Sequence, residues 1–430
     1  MAKTKGQEEE NTMAQSKQKK WIAFIVLTIA AGLIYRVPYL KTVFYDPLVA
    51  AFSITNTEVG TMMSVYSVVK TVLYIPAGIL VDRFDNRKML VFSMLMLAVL
   101  TFIYALIPSL MIVYILYGLM AVSNVIFWTA FIKAVRMFGS EKEQGSVFGY
   151  SEGIRAVASL VINFIALWMY AKLEVTSDSP LTGILILYGA IYLAMGVAIW
   201  FLIPSGTGNE DGHHATFRDY VNVLKIPAVW IVSFLVMCCY SVQVASEYTT
   251  PYLSDVMLMS AATAGVVATI RSYGVGLFAA PIIGKITDKV KVPYSVSVII
   301  LLVLEIVMTT ILLVLPGEPS VLIISIVVIL AFACFMYALR GVYYATLGEA
   351  GVPVALTGTA TGVISVIGYL PDAFMNLLIG NKLDQYPGAA GYKYIFTYMI
   401  GFAVAGVIIA FIINRIGKRN AAKAVPADEA

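Results

Sequence analysis

Charge is the first thing this sequence is short of. Asp, Glu, Lys and Arg supply 13% of its 430 residues, against about 25% in an ordinary soluble domain. With 60% hydrophobic residues and a mean hydropathy of +0.86, that shortage excludes a soluble multidomain protein. Histidine is nearly missing: His213 and His214 are the two present, side by side in a polar stretch, and they read as solvated. The three cysteines, Cys238, Cys239 and Cys334, lie in apolar runs without metal-ligand spacing and read as small buried hydrophobes. Neither a His/Asp/Glu metal cluster nor a nucleophile motif stands in any span or loop, so no cofactor, metal or enzymatic activity is expected. No cleavable signal is expected, because Met1–Lys20 is polar and the apolar run from Trp21 is long enough to be an anchor.

What the sequence does have is apolar runs of about 20 residues, the length that crosses ~30 Å of hydrocarbon. Twelve are predicted: 21–45, 58–80, 88–108, 110–137, 146–171, 182–203, 227–252, 262–284, 294–315, 321–346, 356–381 and 393–415. Short connections rich in Pro, Gly and polar residues join them, and the longer stretch 204–226 divides them six and six. The expected fold is an all-α membrane protein of two pseudo-symmetric six-helix bundles, 21–203 and 227–415. Residues 1–20 and 416–430 are then tails and 204–226 a linker. A tight charged loop, Gly78 to Lys88, follows the second span, and Gly284 to Lys289 repeats it after the eighth.

Basic residues set the orientation. Of 29 Lys and Arg, eighteen fall on the side of the N-terminus and three, Lys172, Lys382 and Lys393, on the other. Both termini are therefore expected in the cytoplasm, and the net charge of +4 is a topology signal, not one for nucleic acid. Eight cations remain in or at the ends of spans: Arg36, Lys41, Lys70, Lys133, Arg136, Arg155, Arg271 and Arg340. Only Glu152, Glu247, Glu305 and Asp372 oppose them there. A charge at the bilayer centre costs ~2.5–3.5 kcal/mol or more, so such residues face a partner or a polar cavity. An excess of cations points to an anionic solute.

Gly78-x-x-x-Asp82-Arg83, followed by Arg87-Lys88, resembles the loop 2–3 signature of the major facilitator superfamily, and Gly284 to Lys289 resembles its loop 8–9 copy. Asp85-Asn86 replaces the glycine usual in the turn, and both residues tolerate left-handed geometry. Trp128 with Lys133, then Ser140 to Gly145, resembles the span 4–5 corner of sugar-phosphate permeases, and Tyr35-Arg36 with Lys41 resembles their first span. The arginine those antiporters carry on the seventh span is absent, Glu247 being the charge there. Lys70 and Arg271 stand where nitrate permeases place cations, without the long glycine-rich signatures of that group.

The resemblance implies alternating access to a central cavity walled by the first, fourth, seventh and tenth spans, in a bacterial inner membrane. Polar stripes at helical spacing agree with that wall: Tyr66 and Lys70; Tyr240, Gln243 and Glu247; Tyr337, Arg340 and Tyr344; Ser365, Tyr369, Asp372 and Asn376. Expected substrate ligands are Arg36, Lys70, Arg271 and Arg340, with Tyr66 and Trp128. Asp372 or Glu247 is the expected proton carrier, and Gly78, Asp82, Arg83, Arg136, Gly284 and Asp288 form the expected conformational latch, Arg136 bracing Asp82. Glu152 and Arg155, three apart, are read as pairing with each other, and Glu305 as structural. The expected partners are a small solute, protons or a counter-anion, and lipid, with the chain a monomer. Sugar phosphate, carboxylate, sulfonate and inorganic anion all suit the same cations. Proton-coupled efflux of an organic cation through Glu247 and Asp372 is the alternative, against the charge balance. A channel suits the duplicated loop less well.

Overall fold

Apolar segments without water around them must satisfy their own backbone groups, and helices do so within one segment. The computed structural model describes residues 19–136, 138, 144–177, 179–205, 222–279, 292–352 and 356–424, and no strand occurs among them. The first half contains α1 (19–33), α2 (Tyr45–Phe52), α3 (Asn56–Arg83), α4 (Asn86–Tyr104), α5 (Leu110–Arg136), α6 (Gln144–Thr176) and α7 (Pro180–Leu202). The second contains α8 (Pro227–Ser246), α9 (Thr249–Asp255), α10 (Ala261–Thr269), α11 (Tyr294–Val314) and α12 (Leu322–Val342). It closes with α13 (Thr357–Gly368), α14 (Pro371–Gln385) and α15 (Ala389–Ala424). Ten helical segments among the described residues are long and apolar enough to cross a membrane.

The expected unbroken first span, 21–45, is corrected: regular helix stops at 33, and 34–44 winds through turns and a 3-10 segment, Leu40–Thr42, before α2. Pro38 withholds one backbone donor from this stretch. Tyr192 of α7 splints the break, its hydroxyl donating to Leu33 O at 3.0 Å and accepting from Val37 N at 3.3 Å. A bilayer tolerates irregular backbone only with such internal partners.

The loop expected over Gly78–Lys88 is corrected as well. α3 runs on through Arg83, and only Phe84 and Asp85 separate it from α4. Asp85 has extended backbone, φ −59° and ψ 125°, in place of a left-handed turn, and its carboxylate caps α4 by accepting from Lys88 N at 3.0 Å. An N-cap aspartate restarts the helix without any need for glycine.

Two compact units emerge. One joins the chain up to Leu40 with Val68 onward through α7; the other joins Lys41–Ser67 with the spans of the second half. The break in the first span and the middle of α3 thus mark the change from one unit to the other. In the first unit α4 packs on α5 and α7, and Phe102 fills the space left by Gly189. In the second, α8 is the hub, meeting α13, α14 and α15.

Candidate functional site

Each unit gathers cations and aromatic rings. In the first, the Arg155 guanidinium lies over the Trp128 ring, Cζ 4.7 Å from its centroid. Tyr35 meets the other side of the cluster, 6.1 Å from Trp128 and 6.1 Å from Tyr39. Lys70 then donates to the Tyr39 hydroxyl at 3.3 Å. α5 supplies Trp128, α6 Arg155, α3 Lys70 and the broken first span the two tyrosines. Gly32 makes the assembly possible: a Cβ there would stand 2.8 Å from Arg155 O, so only glycine lets α1 approach α6 this closely. Arg36, beside Tyr192, is 9% exposed and belongs to the splinted break.

In the second unit Arg340, near the end of α12, lies at the surface, with Tyr240, Tyr337, Tyr343 and Tyr369 around it. No carboxylate pairs with it among the described residues. Tyr240 and Tyr369 cross edge to face at 4.7 Å, Tyr344 shares hydrogen bonds with Ser365 at 2.9 Å and Tyr369 at 3.3 Å, and Tyr337 donates to Ser272 O at 2.7 Å. Tyr240 also donates to Asp372 Oδ2 at 2.9 Å. The stripes on α8, α12, α13 and α14 therefore converge on one place, with a buried carboxyl, Asp372, at its back.

Arg271, an expected substrate ligand, is buried among helix ends in this structure. It rides the π-helical turn Ile270–Gly274 and is 2% exposed. Its guanidinium donates to Ser246 O at 2.8 Å, to Thr249 Oγ1, and to Ser272 Oγ at 3.3 Å. Ser246 ends α8 and Thr249 starts α9, so the cation caps the carbonyl end of one helix and ties it to the next. In this structure neither Arg271 nor Arg36 is open to a solute. Tyr66, on α3, is fully buried too.

Glu247 follows α8 directly and is ion-paired with Lys41 at 2.6 Å; the lysine is 2% exposed and lies over Tyr248, 4.7 Å from its ring centroid. Nearby, Asp384 of α14 accepts four hydrogen bonds from the first turn of α3. Asn56 N (3.0 Å) and Nδ2 (2.8 Å) reach Oδ1, and Thr57 N (2.8 Å) and Oγ1 (2.5 Å) reach Oδ2. Gly60 and Gly380 let these two helices touch, since a Cβ would lie 2.5 Å from Asn376 O at the first and 2.2 Å from Asn56 O at the second. Tyr45 extends the cluster by donating to Asn56 at 2.6 Å.

Of the expected latch, Arg83 is exposed at the end of α3. Gly78 and Asp82 fall in the last turns of α3 and Arg136 at the end of α5, but the side chains of Asp82 and Arg136 lie outside the described residues, as do Gly284 and Asp288 entirely. Glu305 is fully buried on α11, and neither carboxyl oxygen meets a hydrogen-bond partner among the described residues. Lys41, Tyr39, Tyr192 and Asp384 escaped the sequence reading as site residues. Only Gly380-x-x-x-Asp384, one helical face, hinted at the last of them.

Comparison with known proteins supplies the frame. A family model described as Major Facilitator Superfamily matches residues 21–376. The inner membrane proteins YqcE and YihN of Escherichia coli K12 are 28% and 29% identical, over 96% and 94% of this chain and 99% and 97% of theirs. Among solved structures, a bacterial homologue of the human lysosomal transporter Spinster, inward-facing and unoccupied, shares the fold. Its TM-score is 0.74 at 14% identity, over 93% of this chain and 98% of that one.

Proposed function

Because the chain belongs to the major facilitator superfamily, and is thus a multi-pass secondary transporter, we propose that its cargo is a small organic anion carried by alternating access. The observation that carries this reading is Arg340: an exposed guanidinium, ringed by tyrosines, with no carboxylate partner among the described residues. A guanidinium grips carboxylate, phosphate or sulfonate oxygens in bidentate fashion, and phenol hydroxyls add directional donors. Within the first unit, Lys70 and Trp128 are a further cation and ring suited to such an anion. Arg36 and Arg271 act one step back, holding the breaks in the first and seventh spans.

Asp372 is the proton carrier of this reading. It is buried, hydrogen-bonded to Tyr240 at 2.9 Å, and Tyr240 stands against Arg340, so a proton on Asp372 and an anion at Arg340 are coupled through one phenol. Glu247, neutralised by Lys41, is assigned to a gate instead. The membrane is a bacterial inner membrane with both termini inside, supported by the basic-residue bias and by relatives named for that membrane. The organophosphate-like choice of cargo rests on Trp128 with Lys133, Ser140 to Gly145, and Tyr35-Arg36 with Lys41.

The test is counterflow in proteoliposomes with phosphate monoesters, carboxylates, sulfonates and lipophilic cations, with and without a pH gradient. Saturable exchange of an anion class, falling at least about tenfold in Arg340→Gln, is the expected result; tenfold is the loss of about 1.4 kcal/mol, the low end for a charged hydrogen bond. Exchange of cations alone, or full anion transport by Arg340→Gln, overturns the reading.

A further inference from the structure

Glu152 and Arg155 lie one helical turn apart on α6, and an ion pair of that spacing is ordinarily a solvated surface contact of little consequence. Three observations separate this pair from that case. Its two members are held very unequally: the Arg155 side chain is 18% exposed and pinned over Trp128, whereas the Glu152 side chain is 70% exposed. The backbone under Arg155 is fixed against the first helix, with Gly32 in contact with Arg155 O and the Ser159 hydroxyl meeting Gly32 O at 3.0 Å and Arg155 O at 2.7 Å. Finally, Arg155 Nε is buried with no acceptor among the described residues, so the protein leaves part of the guanidinium's donor capacity unused.

The cation is therefore immobile and under-satisfied, and its counter-ion is loosely held. Glu152 meets only the Nη1 end of the guanidinium. We propose that Glu152 is a built-in stand-in for the cargo anion: it occupies Arg155 when the transporter is empty and is displaced when an oxyanion binds there. This rests on the anionic-cargo reading and adds a residue and a competition to it. Trp128 holds the guanidinium in place during the exchange, because stacking on the ring face leaves the N–H edges free for oxygens. The carboxylate does two things. It neutralises Arg155 in the empty protein, lowering the cost of a buried cation when no cargo is present. It also weakens cargo binding by competition, which speeds release.

Trp128 provides the readout. In full-length protein with Trp21, Trp168, Trp200 and Trp230 changed to Phe, the emission of Trp128 reports on the guanidinium above it. Inorganic phosphate and methanesulfonate serve as probe oxyanions. Glu152→Gln is expected to bind a probe about fivefold more tightly than the protein retaining Glu152, the factor by which a partly exposed ion pair of ordinary strength competes. Glu152→Asp, whose shorter carboxylate reaches Arg155 less well, falls between them, and Arg155→Gln loses the response. Saturable binding with equal or weaker affinity in Glu152→Gln overturns the displacement and leaves the anionic cargo standing. No saturable response in any of these proteins overturns both.

Discussion

Lys41 carries a buried positive charge whose counter-ion among the described residues is Glu247, 2.6 Å away, with a tyrosine ring below it. Breaking such a pair from one side strands a charge in a poorly solvating place, whereas removing both charges together does not. Lys41→Met strands a carboxylate that is 18% exposed, and Glu247→Gln strands an ammonium that is 2% exposed, so the second change is the worse. Each single change is expected to lower stability by about 2–4 kcal/mol, and Lys41→Met with Glu247→Gln to recover most of the loss. Thermal unfolding of all four proteins in detergent closes the cycle; a double variant no more stable than the singles shows that the charges do not depend on each other. The lysine was visible in the sequence only as one of eight cations in the spans. Nothing in its neighbours showed that its partner lay 206 positions on.

At the level of helices, two glycines at similar places in the chain make opposite predictions. Gly380 of α14 faces the backbone of Asn56, which cannot step aside as a flexible side chain would, so Gly380→Ala must push the start of α3 away and break the hydrogen bonds to Asp384. Gly401 of α15 meets nothing within 4 Å, so Gly401→Ala keeps all contacts and gains helix propensity. Expected is a loss of about 2–3 kcal/mol in the first and a change between zero and a gain of about 1 kcal/mol in the second, read as melting temperature side by side. Equal effects remove the close contact from the account. These elements also show what a sequence exposes. Apolar length and basic bias were enough for an all-helical, many-span fold, because lipid leaves the backbone few other solutions. The break at 34–44 was hidden, since its splint, Tyr192, is supplied from α7. The connection at Gly78 is shorter than its charge pattern suggests, because the Asp85 cap does in two residues what a glycine turn does in more. Stripes such as Tyr337-Arg340-Tyr344 and Ser365-Tyr369-Asp372 were legible as periodicity, and the tertiary fold brings them together. Arg271 shows the same need: a cation in a span requires a partner, and here a helix C-terminus serves.

For the whole molecule, the hydrogen bonds joining the start of α3 to Asp384 are expected to act as a latch released once per transport cycle. The carboxylate holds both donors of Asn56 and both of Thr57, Tyr45 reinforces Asn56, and Ser64 ties α3 to Ala373 O at 2.5 Å. Tyr66 is fully buried in this closed arrangement. Charge-assisted hydrogen bonds contribute roughly 1.5–3 kcal/mol each, so weakening even one of the four moves a balanced two-state equilibrium by about tenfold or more. Asp384→Asn removes the charge and one acceptor oxygen while keeping the shape. The variant is expected to fold, to spend more time with the latch open, and to transport more slowly because closure is now unfavourable. A cysteine at Tyr66 measures this directly. In a Cys334→Ser background, which removes the exposed native thiol, its labelling by a membrane-impermeant maleimide should rise at least about tenfold when Asp384→Asn is added. Labelling at the same slow rate in both proteins, with transport unchanged, would mean that Asp384 only caps α3 and that the gate lies elsewhere. A rise in labelling with transport unimpaired would place the slow step of the cycle at the opposite face, leaving the latch real but not rate-limiting.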